Sequence, residues 1–255
     1  MTLQTKQVLI TVKAYPNPSK KYGETVCCAG IDLETGSWIR LYPIQYRDLE
    51  SSKRFAKYDI VAVNCEKAKR DHRVESYQVD QDSIRVLRHL DTKDNWRARK
   101  EIVLPTASSS FCDIQAMVEQ NLSLGMFKPH SVAFSSQKAP DEGEAEREAC
   151  YAQLSFFDRQ KKAIERVPFD FYYGFRCAGR DDYPGHRLKI VDWEMGQAYR
   201  KWREESESQE ELLRKIESRW LTEICSDRNG VYLYVGNMQR LREQFLVLGV
   251  FYPRK

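Results

Sequence analysis

Thr25-Val-Cys-Cys-Ala-Gly-Ile31, Asp32-Leu-Glu-Thr-Gly36 and Ser37-Trp-Ile-Arg-Leu-Tyr-Pro-Ile44 form the stretch that decides the fold. Two runs rich in β-branched and aromatic residues flank a polar connection that ends in glycine. That pattern predicts a hairpin, with Gly36 supplying the left-handed position of a short turn. Outward from it, Val8-Leu-Ile-Thr-Val12 reads as a strand and residues 15–23 as a loop rich in Pro, Asn and Gly. Tyr58-Asp-Ile-Val-Ala-Val-Asn-Cys65 reads as another strand, with two more over 76–79 and 83–87. Short strands at this spacing predict a small barrel, not a βαβ sheet. A short helix is expected over 111–121, with Ile114, Met117 and Val118 as its apolar residues.

Composition shifts at Ser135-Ser-Gln-Lys-Ala-Pro-Asp-Glu-Gly-Glu-Ala-Glu-Arg-Glu148, which is polar and acidic and contains Gly and Pro. Such a segment buries too little apolar surface to hold itself tightly and is expected to be a linker. It divides the chain into a basic N-terminal lobe, 1–138, and an α+β lobe, 139–255. In the second lobe, strands are expected over 169–175 and 187–191. A long helical region follows, in which Ser208 and Glu211 match a capping box. Leu212, Ile216, Trp220 and Ile224 recur every four residues on one face. Asp227-Arg-Asn-Gly230 stops the helix, and runs over 231–236 and 244–252 close as a hairpin.

The chain has 255 residues, 42% hydrophobic and 31% charged, which describes a globular protein able to bury a sizeable core. No apolar run approaches the ~18 residues of a membrane span, and the N-terminal apolar stretch follows a strand pattern, not that of a signal peptide. Seven cysteines, scattered apart from Cys27-Cys28 and without a Cys-x-x-Cys pair, argue for reduced thiols. A cytoplasmic location with no membrane partner is expected. Residues 1–100 hold 19 Lys and Arg against 13 Asp and Glu, whereas residues 101–200 hold 12 against 15. A basic lobe favours polyanionic partners through counterion release, while a solvated basic face gives the same counts.

Gly36-Ser-Trp-Ile-Arg-Leu-Tyr-Pro-Ile44, followed by Phe55-Ala-Lys-Tyr-Asp-Ile-Val61, resembles uncharacterised prokaryotic proteins with two OB-like barrels. Ser123-Leu-Gly125 with Gly185-His-Arg-Leu-Lys-Ile-Val-Asp-Trp-Glu194 is similar to the second half of such proteins. The resemblance spans most of the chain and names no catalytic residue. It implies two small barrels and a surface facing nucleic acid, since OB barrels commonly bind oligonucleotides. The expected fold class is α+β and mostly β: two small OB-like or related β-barrel lobes, with a long helix in the C-terminal half.

Three functional readings follow. In the first, the chain binds RNA or single-stranded DNA. Strict alternation places Trp38, Arg40 and Tyr42 on one strand face, where rings stack bases and guanidinium takes phosphate. Arg47, Lys53, Arg54 and Lys57 follow, and Lys67, Lys69, Arg70, His72 and Arg73 form a second basic cluster. Affinity is then expected to fall by orders of magnitude between about 50 and 200 mM salt. The alternative is a barrel strand whose Trp38 packs under a neighbouring loop while Arg40 snorkels to solvent.

In the second reading, the chain is a metal-dependent phosphodiesterase or nuclease centred on His186, Asp192 and Glu194, with Lys189 contacting phosphate. Cys177, His186, Asp192 and Glu194 are the candidate ligands of a divalent metal, the one cofactor the residues suggest. Cys225 or Asp182 would complete the set. The alternative is turn chemistry, with Trp193 in the core and Asp192 or Glu194 at the N-terminus of the following helix. A third reading is a protein-interaction module whose C-terminal helix docks a partner. No Gly-x-Ser-x-Gly, P-loop or dinucleotide fingerprint appears.

Overall fold

The computed structural model describes residues 3–19, 23–140, 166–177 and 184–255. Strand β1 (Gln4–Lys13) carries the apolar run Val8-Leu-Ile because it is buried on both faces. Val8 and Ile10 fill the barrel core, while Leu9 and Val12 point outward into a second core shared between the lobes. β2 (Asn17–Ser19) is a short addition to β3 (Gly23–Asp32). β3 turns back into β4 (Trp38–Ile44), the hairpin expected from the sequence, with Gly36 at a φ of +66°. β5 (Asp59–Lys67), β6 (Ser76–Val79) and β7 (Arg85–His89) follow.

Pairing runs β1–β3–β4–β6–β5 and returns to β1. β4 and β6 are parallel and the other neighbours antiparallel. This closed five-stranded barrel leaves no open edge and has the size expected of an OB-like barrel.

After α1 (Lys93–Val103), the chain enters a second sheet. β8 (Ala107–Ser108), α2 (Phe111–Ala116), β9 (Leu124–Phe127) and β10 (His130–Lys138) precede the acidic stretch. β11 (Phe169–Arg176), β12 (His186–Ile190), α3 (Trp193–Glu205), α4 (Gln209–Glu217), β13 (Tyr232–Asn237) and β14 (Phe245–Phe251) complete the lobe. The sheet order is β10-β11-β12-β14-β13-β9-β8, so the chain changes sheet ahead of residue 138. β10 gives little apolar signal because it is a mostly exposed edge strand. Residues 141–165, which hold most of the expected linker, lie outside the described residues.

Ser208 accepts a hydrogen bond from the Glu211 N–H at 3.1 Å, so the predicted cap starts α4. Leu212, Ile216, Trp220 and Ile224 are buried in the second lobe's own core, against Tyr173 and Phe175. The Asn229 side chain donates to the Glu223 and Ile224 carbonyls and ends the helical region. The apolar helix face is therefore consumed inside the lobe, which corrects the expectation that it docks a partner. Among the described residues, no helix is long and apolar enough to cross a membrane.

The lobes meet along the end of β1. Ala14 bridges Asp192, the Tyr15 N–H donates to the Val191 carbonyl at 2.7 Å, and the Trp193 ring lies against Tyr15 and Tyr46. Gly196 lets Tyr15 approach α3, since a Cβ there would stand 2.1 Å from two of its ring carbons. Gly196→Ala is expected to destabilise the protein. Overpacking costs about 1–3 kcal/mol and outweighs the about 1 kcal/mol that Ala gains over Gly inside a helix. A lowered urea midpoint checks this, with Gly174→Ala as control, where the new methyl meets nothing nearer than 3.7 Å.

Candidate nucleic-acid interface

Trp38, Arg40 and Tyr42 do share the outward face of β4, opposite Ala29 of β3, but the second lobe covers them unequally. Trp38 packs edge-on against Tyr234 with ring centroids 5.9 Å apart. Arg40 is 4% exposed and Tyr42 37%. Where the covering ends, a cleft of about 570 Å³ opens between the lobes. Thr25, Cys27, Arg40 and Tyr42 line its barrel side, and Lys189 and Asn237 are among the residues of its second-lobe side.

A polar network floors the cleft. Arg40 Nη2 donates to Ser123 Oγ at 2.8 Å and Nη1 to Cys27 Sγ at 3.3 Å. The Ser123 hydroxyl and N–H both donate to Glu75 Oε1, so Ser123 links a buried guanidinium to a buried carboxylate. Arg73 holds Asp71 through its Nε and Nη2 and donates to the Asn237 carbonyl at 2.9 Å. Burial pushes the Asp71 carboxyl upward, but the Arg73 hydrogen bonds outweigh it and leave it below its ordinary value. Arg40 Nε, Glu75 Oε2 and Asn237 Oδ1 are buried without a hydrogen-bond partner. Among the described residues, no carboxylate lies within ion-pair distance of Arg40.

The other basic residues do not form one stripe. Arg47 pairs with Glu24 at 2.7 Å, and Lys53 lies 3.6 Å from both Glu50 and Asp82. Arg54 donates to the Leu49 and Arg47 carbonyls. Lys69 pairs with Glu66, Lys67 donates to the Val74 carbonyl, and Arg70 and His72 are exposed. Lys57 is drawn inside, donating to the Val250 carbonyl with Asp192 and Glu194 at 3.9 and 3.5 Å. Of the twelve residues named for the nucleic-acid reading, Arg40, Tyr42 and Arg73 line the cleft.

The second set of site residues separates. His186 opens β12 and Asp192 lies beyond its other end, so six residues of extended chain place them about 20 Å apart. Asp192 is the N-cap of α3, its Oδ1 accepting from the Glu194 N–H at 3.0 Å. Glu194 is inside the helix, so the expected shared strand face does not exist. Lys189 pairs with Asp170 at 2.6 Å on the cleft wall.

Cys177 and His186 do come together, but with Cys112, which the sequence reading did not single out. Cys225 lies elsewhere, 3.3 Å from the Trp220 carbonyl, and Asp182 lies outside the described residues. Also unforeseen were Glu75 and the role of Ser123, which carry no local motif. Asn237, which ends β13, likewise carries no local motif.

Fold and cleft together define a two-lobed β protein, an OB-like barrel whose β3–β4 face is roofed in part by a second sheet. Residues 107–255, more than half of the chain, match the family model described as a domain of unknown function, DUF8757, and the chain belongs to that family. Residues 4–105 match a further domain of unknown function, DUF8758. No curated protein matches the chain.

Asp192 is 5% exposed, and burial pushes its carboxyl up to about 7 against the pull of Lys57. The native state thus holds a proton that the unfolded chain releases near its ordinary value of 3.8. Stability is expected to fall as pH rises from that value through about 7, and Asp192→Asn, which keeps the cap acceptor, should flatten that slope. Asp192→Ala also loses the cap, at a cost of about 0.5–2 kcal/mol. Urea titrations of the three proteins across that pH range check both effects.

Proposed function

We propose that the chain binds single-stranded nucleic acid, RNA or DNA, on the β3–β4 face of the barrel, within the interlobe cleft. The observation that carries this reading is Arg40, a guanidinium buried at the cleft floor with Nε unpartnered and, among the described residues, no carboxylate within ion-pair distance. Nε is closed to solvent, so an anionic oxygen in the cleft reaches that donor only after a shift of the Arg40 side chain. Arg73 and Lys189 stand on the walls, each held by a carboxylate, Asp71 and Asp170, and Tyr42 offers the most open ring of the predicted platform.

OB barrels use the face of their second and third strands for oligonucleotides. Here those strands are β3 and β4. The cleft volume lies within the about 300–1,000 Å³ typical of small-ligand sites, so it takes one or two nucleotides of a strand and not a long duplex. The phosphodiesterase reading loses its centre, because Asp192 and Glu194 belong to the helix cap and to Lys57.

With about three phosphates neutralised, log affinity should fall against log salt with a slope near −2, a loss of roughly twentyfold between about 50 and 200 mM. Tyr42→Ala should weaken binding by the about 1–3 kcal/mol of one stacked base, and Arg40→Gln by at least as much. Lys69→Ala should change little. Fluorescence anisotropy with mixed RNA and DNA oligonucleotides measures all four, and no anisotropy rise with the unaltered chain at low salt would overturn the reading.

A further inference from the structure

Outside the cleft, Cys112, Cys177 and His186 converge from three elements. Cys112 stands in the first turn of α2, Cys177 follows β11, and His186 opens β12. Cys112 Sγ lies 3.8 Å from Cys177 Sγ and 3.8 Å from His186 Nε2, and all three ligand atoms are within 4.8 Å of one another. A sulfur–sulfur separation of 3.8 Å is far beyond the about 2.05 Å of a disulfide. Tetrahedral zinc, with Zn–S of about 2.3 Å and Zn–N of about 2.0–2.1 Å, sets its ligand atoms roughly 3.6–3.8 Å apart. Two of the three separations already have that value.

The surroundings hold the donors in place. Cys177 is 4% exposed, and the His186 ring is wedged between Phe111 at 4.8 Å and Phe175 at 5.4 Å. Gly185, at a φ of +86°, brings the chain against the Phe175 carbonyl, 2.8 Å from where a Cβ would lie, and so aims His186 at the thiols.

We propose that Cys112, Cys177 and His186 bind one zinc ion. Two thiolates and an imidazole are soft and borderline donors, which select zinc over magnesium or calcium. Deprotonation of both thiols leaves the three-ligand site neutral overall with Zn²⁺. The ion ties α2 to the β11–β12 hairpin, a link between segments that are 65 and 74 residues apart in the chain. This site is independent of the nucleic-acid reading.

The test uses the full chain, purified under reductant without chelator, and reads metal content by plasma mass spectrometry. About one zinc per chain is expected, falling by about tenfold or more in Cys112→Ser, Cys177→Ser and His186→Ala. Cobalt added to the zinc-free chain should give a thiolate-to-cobalt charge-transfer band with tetrahedral ligand-field bands, a readout that needs no variant to fold. Reduced protein that carries no zinc and gives no such band with cobalt would overturn the proposal. So would zinc retained in full by all three variants.

Discussion

The structure depends on a core that belongs to neither lobe alone. β1 gives Val8 and Ile10 to the barrel and Leu9 and Val12 to the space between the lobes, where they meet Met126, Tyr234, Leu248 and Phe251. Each such side chain contributes roughly 1.5–3 kcal/mol on burial, so parting the lobes would expose several at once. The backbone bridge from Ala14 to Asp192 fixes the same seam at its end. A cleft between walls held this firmly is preorganised, and a ligand entering it orders little that is not already ordered.

Along β4 the change from covering to cleft follows the side chains. Ile31 and Trp38 can be roofed by Leu248 and the Tyr234 ring because the surfaces in contact are apolar. At Arg40 the roof has to become polar, and the Ser123 hydroxyl replaces the apolar contacts there. Burying Arg40 and Glu75 costs several kcal/mol per ion, offset only in part by the Ser123 bridge. Well-packed apolar residues would often serve stability as well or better, so the charges mark a place specialised for something other than holding the lobes together.

What was legible in the sequence was what local periodicity controls. Alternation placed Trp38, Arg40 and Tyr42 on one face, and the four-residue spacing of Leu212, Ile216, Trp220 and Ile224 gave the buried helix face. What covers a face is a long-range fact: Arg40 and Ser123 are 83 residues apart. The Asp192–Glu194 pair failed for a definite reason. Residues two apart share a face only while the strand lasts, β12 ends at Ile190, and on a helix that spacing points apart. Cys112 escaped notice because ligands brought together by tertiary folding leave no spacing motif.

Net charge was a weaker guide than geometry. The basic excess of the first hundred residues is real, yet Arg47, Lys53 and Lys69 each lie beside a carboxylate. Exposed pairs such as those of Lys53 and Lys69 are worth at most about 1 kcal/mol, while Arg47 neutralises the buried Glu24, so none of the three presents an uncompensated field. Arg40 differs on every point: it is buried, its charge is linked to a carboxylate only through a hydroxyl, and one donor remains unmet. In a low-dielectric cleft, one such donor attracts an anion more strongly than several solvated lysines. A count of surface charge would discard Arg40 as interior, although the fold leaves one of its buried donors unmet.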